Sequence, residues 1–293
     1  MPTTVPLPGL EEAVRAAAEP CAVEPFRCVG GEVLEALARS GVRTLREVEI
    51  AALRAGVVPK KYLRSFAEFT AEDQVRLLAA RVALVGLGGL GGLVLEGLAR
   101  MGLGRIRVAD GDTFEESNLN RQVLATAANL GRGKAETALA RAAEANRAVE
   151  LEAWPQSLDE TSVEGFFSDA AVVVDALGGP GFRQDLRRAA ARAGLPLVTA
   201  AVAGSTGLVA VVRPGGLGPA DLLAPGAAAP AENVLGTPAP AVFAAAAIQI
   251  HCVLDLARGR TPALLGRMLA FDLADARFEI LNLEQEPAAE QRC

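Results

Sequence analysis

Glycine spacing in one stretch of the sequence indicates a site for phosphate chemistry. Residues 86–91 read Gly-Leu-Gly-Gly-Leu-Gly and follow a short apolar run, 82–85, typical of buried parallel strands. Glycines at this spacing let the backbone turn tightly, approach a phosphate and pack the next helix closely. A helix starting after Gly91 would also direct free N–H groups and a partial positive charge at the phosphate. We therefore predict nucleotide binding by four glycines: Gly86, Gly88, Gly89 and Gly91.

Charged and amide side chains are concentrated in the loops that should follow strands. Asp110 comes directly after the predicted strand 105–109, at about the distance from the glycines at which an acidic residue meets a ribose hydroxyl. A turn or helix-cap aspartate is the alternative for this position. Cations beside a glycine loop stabilise charge that develops in phosphoryl transfer, whereas hydride transfer needs an ordered proton donor. The loops offer Asp110, Asp112, Asn118, Arg121, Gln122, Lys134 and Arg183.

Composition limits the partners and the compartment. The 293 residues carry a net charge of −6 without a lysine-rich tract, which argues against binding to nucleic acid or to anionic membranes. Of the 29 cationic residues only three are lysines, so Lys134 at a predicted helix start looks selected for its role. The N-terminus has no apolar run of signal-peptide length, and a cytoplasmic protein is expected. No Cys-x-x-Cys pair occurs, which predicts free thiols at Cys21, Cys28, Cys252 and Cys293.

Strands and helices should alternate from residue 82 to residue 202. This pattern predicts an α/β fold with a Rossmann-like, mostly parallel sheet and helices on both faces. The alternation includes a helix at 160–167 and strands at 149–153 and 171–177. A further strand at 207–213, a mobile crossover loop at 214–240, a helix at 241–257 and a hairpin over 267–283 should complete the fold. The apolar window 239–256 contains Gln249, His251 and Asp255, which favours a buried helix over a membrane span.

The ends of the chain differ from this α/β region. Residues 1–60 should form a small helical extension, loosely packed up to residue 30, with helices at 32–39 and 44–54. Thr44 and Glu47 have the spacing of a capping box. Residues 61–283 should form the nucleotide-binding domain, and residues 284–293 a disordered tail.

Several of these motifs together resemble the ThiF/MoeB/HesA family of adenylyltransferases, which are related to ubiquitin-activating enzymes. The resemblance runs from about Lys61 to Leu283. It is carried by the glycine stretch 86–91, by Asp-Gly-Asp at 110–112, by Ser-Asn-Leu-Asn-Arg-Gln at 117–122 and by Gly-Arg-Gly-Lys at 131–134. It implies MgATP as cofactor and adenylation of the C-terminal glycine of a ubiquitin-like carrier with a Gly-Gly end, often for sulfur transfer in thiamine or molybdopterin synthesis.

Carried over by position, the resemblance assigns roles to individual residues. Asp110 would bind ribose, and Arg121 and Lys134 would act on the triphosphate and the transition state. Arg64 matches an arginine that family dimers insert into the partner's active site, which implies a homodimer and a catalytic role for Arg64. The remaining nucleotide-binding positions are Asp112, Ser117, Asn118, Asn120, Gln122, Gly178 and Gly179.

Three departures from the family pattern bear on chemistry. Gly178 and Gly179 occupy the positions of an aspartate, usually followed by asparagine, that coordinates magnesium, and Asp175 lies three residues earlier. Magnesium would therefore lose a carboxylate ligand, and we predict no metal-ligating side chain. The paired Cys-x-x-Cys motifs that hold zinc are absent, their place taken by residues 222–230, so no zinc is expected. A covalent cysteine relay is not expected either, and Cys252 is predicted to lie in the core.

Three functions remain open from the sequence. The first is an active ATP-dependent adenylyltransferase. The second is a homologue that keeps the nucleotide pocket and the carrier-docking surface but has lost catalysis, a hypothesis motivated by Gly178. The third is an NAD-binding oxidoreductase, which fits the glycines but leaves Arg121, Gln122 and Lys134 unexplained.

Overall fold

The computed structural model describes residues 9–21, 26–41, 43–179, 181–222 and 231–283. The chain up to Pro59 forms a small unit with a sheet of its own. Its elements are α1 (Leu10–Ala17), β1 (Glu19–Pro20), β2 (Arg27–Val29), α2 (Gly31–Ser40), α3 (Leu45–Arg54) and β3 (Val57–Pro59). A 3-10 helix (Lys60–Ser65) and α4 (Ala71–Ala79) then lead to the main sheet.

The N-terminal unit is well packed. Strand β1 pairs antiparallel with β2, which pairs parallel with β3. Val14, Leu34 and Val48, one from each helix, are at most 1% exposed. The prediction of a loosely packed segment up to residue 30 is therefore wrong for the described part of it, because strands of two or three residues are too short to show an alternating pattern. The capping box predicted at the start of α3 is present.

The main unit alternates strands and helices, as predicted. Its first half comprises β4 (Arg81–Val85), α5 (Gly89–Arg100), β5 (Arg105–Ala109), a 3-10 helix (Glu116–Asn118), α6 (Lys134–Ala145), β6 (Glu150–Trp154), α7 (Val163–Phe166) and β7 (Val172–Asp175). Its second half comprises α8 (Arg183–Arg192), β8 (Leu197–Ala203), β9 (Thr206–Val212), α9 (Pro219–Leu222), α10 (Ala231–Leu235), α11 (Ala239–Ala257), β10 (Arg267–Asp272) and β11 (Arg277–Asn282).

The eight strands of this unit form one sheet in the order β11-β10-β9-β8-β7-β4-β5-β6. The pairs from β6 to β8 are parallel, and those from β8 to β11 are antiparallel. After β6 the chain crosses back to the other side of β4, so the order reverses between β4 and β7. Ligands of such sheets bind at the carboxyl ends of the strands beside this reversal. The Rossmann-like prediction is confirmed.

Helices cover both faces of the sheet. One face packs against α5, α6 and α11, and the other against α7 and α8. Helix α11 is the one helix of the described chain that is long and apolar enough to cross a membrane, and it packs against α5 and β8 in the core. Cys252 on this helix is 2% exposed, and burial raises the pKa of its thiol to about 12, in line with the predicted core position.

Three local predictions differ from the structure. Helix α5 begins at Gly89 rather than after Gly91, so Gly91 lies in its first turn. The predicted helix 160–167 is only the four residues of α7, because residues before it form a turn in which Thr161 and Ser162 donate hydrogen bonds to the Asp159 carboxylate. The predicted crossover loop 214–240 contains α9 and α10. The predicted tail 284–293 lies outside the described residues.

Candidate functional site

The glycine corner between β4 and α5 is too tight for any side chain at two positions. Gly86 has a φ of +92°, and a Cβ built there would lie 2.7 Å from the carbonyl oxygen of Ala176. A Cβ at Gly91 would lie 1.8 Å from the carbonyl oxygen of Gly86. These glycines bring α5 close against the strand end and leave backbone exposed at the start of the helix. The corner thus has the geometry expected for a phosphate.

Asp110 ties this corner to the next loop. Its Oδ2 accepts a hydrogen bond from the Leu87 amide at 2.7 Å, and its Oδ1 accepts one from the Asp112 amide at 2.9 Å. The carboxylate therefore fixes the turn, as the alternative from sequence described. Each oxygen keeps a lone pair for a ligand such as a ribose hydroxyl.

Arg121 and Gln122 lie on the loop that follows the 3-10 helix Glu116–Asn118. The Nη1 atom of Arg121 donates to the backbone oxygen of Ser117 and to Oδ1 of Asn120, both at 2.9 Å. Ser117 and Asn120 thus orient the guanidinium, although neither lines the cavity. Gln122 is 6% exposed, and among the described residues its Oε1 has no hydrogen-bond partner. A buried acceptor without a donor is costly, which favours a ligand hydroxyl or amine at this point.

Lys134 is the buried cation of the site. It begins α6, and its side chain is 8% exposed. Its Nζ lies 3.0 Å from Oδ2 of Asp112, whose side chain is 72% exposed. The backbone of Lys134 also donates to the carbonyl oxygen of Asp112 at 2.9 Å. Because its one carboxylate partner is solvated, the ammonium can turn toward a phosphate without leaving a buried charge unpaired.

The end of β7 is held by a buried ion pair. Oδ2 of Asp175 accepts from Nη1 of Arg183 at 2.9 Å and from the Thr199 hydroxyl at 2.7 Å, while Oδ1 accepts from the Leu177 amide at 3.0 Å. Gln249 donates to the backbone oxygen of Asp175. Both oxygens of the Asp175 carboxylate therefore have protein partners and the side chain is 2% exposed, so it does not take the place of the side chain that Gly178 lacks.

Arg183 extends this network to the glycine-rich loop. It donates from Nε to the carbonyl oxygen of Gly179 at 2.9 Å and from Nη2 to that of Leu177. A Cβ built at Gly178 would meet nothing within 4 Å. The Gly179 amide donates to Oε1 of Glu232, a half-buried residue of α10.

A cavity of about 580 Å³ joins these elements, and we call it the cleft. Of the predicted site residues it is lined by Gly86, Gly88, Gly89, Asp110, Asp112, Asn118, Arg121, Gln122, Lys134 and Gly178. Gly91 and Gly179 do not line it, but Gly179 contacts two residues that do, since its amide donates to Glu232 and its carbonyl oxygen accepts from Arg183.

Arg64 is not part of the cleft. It lies exposed on the 3-10 helix Lys60–Ser65, whose buried side is anchored by Tyr62. The Tyr62 hydroxyl donates to Glu49 at 2.9 Å, and burial beside this carboxylate raises the pKa of Tyr62.

The cleft also contains residues that the sequence did not single out as site residues. They are Ser157, Leu158, Val202, Glu232, Asn233, Thr237 and Val242, among others. Arg183, which the sequence did offer as a strand-end cation, lines the cleft as well. No sequence signal pointed to Glu232 and Asn233, because they lie in a stretch rich in Pro, Gly and Ala that contains no motif.

A family model, described as the ThiF family, matches residues 61–293. The chain belongs to the ThiF family. The SAMP-activating enzyme E1 of Haloferax volcanii is 33% identical over 74% of this chain and 81% of its own length. The sulfur carrier protein ThiS adenylyltransferase of Escherichia coli is 30% identical over 73% of this chain and 86% of its own length. Other curated relatives are longer, and the chain spans 48% of one of them.

The fold of this ThiF-family chain is also found in solved structures. The crystal structure of Escherichia coli MccB with MccA-N7isoASN has a TM-score of 0.68 and 22% sequence identity, and the match covers 78% of this chain and 72% of that one. At this identity the likeness shows the fold alone. The resemblance found in the sequence is thus confirmed at the level of family and fold.

Proposed function

We propose that the protein is an ATP-dependent adenylyltransferase that activates the C-terminal glycine carboxylate of a ubiquitin-like sulfur carrier. A carboxylate oxygen of the carrier would form a bond to the α-phosphorus of ATP, and the bond from this phosphorus to the bridging oxygen would break and release pyrophosphate. The observation that carries the proposal is that Arg121, Gln122 and Lys134 line one cleft with the glycine corner at the strand-order reversal. An NAD site would leave these three side chains without a role.

The cleft fits a nucleoside triphosphate on three grounds. The glycine corner leaves a cradle that a side chain would fill, since Gly88 lines the cleft and a Cβ built there would meet only Nε2 of Gln122, at 3.7 Å. The buried Oε1 of Gln122 lacks a donor within the described structure. Lys134 and Arg121 supply positive charge beside the corner, where it stabilises the charge that develops on the phosphates and on the leaving pyrophosphate.

Further parts of the proposal rest on the family resemblance. Arg64 would enter the cleft of a second copy in a homodimer, which accords with its exposed position outside its own cleft. The carrier would end in Gly-Gly, the compartment would be the cytoplasm, and no zinc would be needed.

Mg²⁺ would accompany ATP. The described residues contain no group of three or more His, Cys, Asp or Glu side chains that could hold a metal ion by themselves. Mg²⁺ in phosphate-transfer sites is commonly held by one or two carboxylates plus phosphate oxygens, so such a group is not required. When bound, the ion would neutralise charge on the triphosphate.

The test is ATP–pyrophosphate exchange with a panel of carriers that end in Gly-Gly. We expect exchange by the wild type and a loss of about 100-fold or more in Arg121→Ala, the effect of removing one donor that stabilises a transition state. The matched control is Arg147→Ala, because Arg147 is 71% exposed and pairs with Glu35 outside the cleft. Wild-type exchange by Arg121→Ala would show that the loop is wrongly assigned.

The two other hypotheses give different outcomes in the same experiment. ATP binding without exchange with any carrier would favour a catalytically impaired homologue. Tight NADH binding without ATP binding would favour an oxidoreductase. An active enzyme remains our proposal because the cleft retains its cations together with its glycine corner.

A further inference from the structure

The carboxylates that line the cleft differ in whether they are already engaged. Asp110 accepts hydrogen bonds from the backbone amides of Leu87 and Asp112. Asp112 is paired with Lys134. Glu232 also lines the cleft, and within the described part of the chain its side chain has no cationic partner and accepts one hydrogen bond, from the Gly179 amide. Of the three lining carboxylates it is the one that, in the described structure, has neither a cation nor a second hydrogen bond.

Glu232 reaches the site from the far end of the crossover segment. Helix α10 packs against β8, and the amide of Gly204, in the β8–β9 turn, donates to the backbone oxygen of Gly236 at 2.8 Å. The amide of Gly236 in turn donates to the backbone oxygen of Glu232 at 2.9 Å. These bonds tie the C-terminal end of α10 to the sheet. The carboxylate of Glu232 is thus held at the glycine-rich end of β7.

The position that Glu232 contacts is next to the one that has lost a carboxylate. Gly178 carries no side chain, and the space at its Cβ position is open. The space at Gly179 is bordered by Glu232, whose Oε1 would lie 3.9 Å from a Cβ built there. The carboxylate of Glu232, from helix α10, therefore lies beside the space that is left open at Gly178.

We propose that Glu232 supplies the protein carboxylate that binds Mg²⁺ with the nucleotide, in place of the side chain missing at Gly178. The proposal rests on the proposed function, since it needs a triphosphate in the cleft. One carboxylate together with phosphate oxygens is an ordinary protein contribution to a Mg²⁺ site. It also accounts for a half-buried anion that has no cationic partner in the described structure.

The test measures divalent-cation binding directly. Mn²⁺ is titrated into the full-length protein saturated with a non-hydrolysable ATP analogue, and free Mn²⁺ is followed by electron paramagnetic resonance. We expect Glu232→Gln to weaken Mn²⁺ binding by at least about tenfold, the lower end of the loss when even an outer partner of a metal ligand is removed. The matched control is Glu279→Gln, on the exposed strand β11, which should bind Mn²⁺ like the wild type.

The glutamine variant separates a metal ligand from a structural contact. Its side-chain oxygen can still accept from the Gly179 amide, so unchanged Mn²⁺ affinity would overturn the proposal and leave Glu232 as a loop contact. The double variant Gly178→Asp with Glu232→Gln should regain most of the lost affinity, because the space at Gly178 is open. Failure to regain it, with the nucleotide bound, would place the ion elsewhere and also contradict the proposal.

The outcomes also distinguish this proposal from the proposed function. Binding of the ATP analogue by all variants, with equal Mn²⁺ affinity, would reject Glu232 and leave the adenylyltransferase intact. Failure of the wild type to bind the analogue would reject both. Pyrophosphate exchange by the same variants should fall in parallel with their Mn²⁺ affinity.

Discussion

Two strand ends in this protein are rich in glycine, for different physical reasons. At the end of β4, Gly86 and Gly91 have no room for a Cβ, since backbone atoms would lie within 2.7 Å and 1.8 Å of it. At the end of β7, Gly178 has open space around the same position. The first pair is required by the backbone, whereas Gly178 is not. A glycine of the second kind can change the chemistry of a site without changing the fold.

The two ends are also stabilised differently. The β4 end is fixed by close packing and by hydrogen bonds from the Leu87 and Asp112 amides to Asp110. At the β7 end Ala176 packs against this corner, but the loop that follows has open space at Gly178 and is fixed by Arg183, which binds Asp175 and two carbonyl oxygens of the loop. The buried ion pair of Asp175 and Arg183 therefore stabilises the loop after β7, whereas close packing stabilises the loop after β4.

The largest expected effect comes from breaking that ion pair. Arg183→Ala should lower the free energy of unfolding by about 3–5 kcal/mol, because the Asp175 carboxylate, 2% exposed, would lose its cation. Urea denaturation followed by circular dichroism measures the change. The control is Arg188→Ala on the same helix, whose side chain is 59% exposed and pairs with Asp185 at 3.3 Å, with an expected loss of at most about 1 kcal/mol. Equal losses in the two variants would show that the buried pair does not hold this end.

The next effect comes from adding one methyl group to the close-packed corner. Gly91→Ala should lower the free energy of unfolding by about 1–3 kcal/mol, since α5 must move away from the carbonyl oxygen of Gly86. The same movement should weaken ATP binding at least about tenfold, because the start of the helix would be displaced from the phosphates. Isothermal titration with the ATP analogue and urea denaturation test the two parts. Unchanged affinity with reduced stability would remove the corner from the nucleotide site.

The contrast between these ends also explains what the sequence could and could not predict. The corner after β4 was predictable because its glycine spacing is local and imposed by sterics. The alternation of strands and helices was predictable because the apolar runs are long and punctuated by glycine. The predicted start of α5, after Gly91, is three residues too late, because Gly89 and Gly91 of the glycine motif belong to the first turn of the helix itself.

The parts that depend on distant contacts were not predictable. Strands β1–β3 have two or three residues each and exist only because they pair with one another. Glu232 comes close to Gly179 across 53 positions of sequence, from a stretch without any motif. The sequence showed Asp175 as an acidic residue at a strand end. It could not show that Oδ2 of Asp175 accepts hydrogen bonds from Arg183 and Thr199.

The smallest expected effect is the sharpest test of the comparison. Gly178→Ala should leave the free energy of unfolding unchanged or raise it by up to about 1 kcal/mol, because the added Cβ meets no atom and the unfolded chain loses conformational freedom. Urea denaturation beside Gly91→Ala makes the measurement, since the two variants add the same group after neighbouring strands, one in the first turn of α5 and the other in the loop after β7. A loss above 1 kcal/mol in Gly178→Ala would mean that the backbone requires this glycine after all, so that its presence would no longer indicate a change in chemistry.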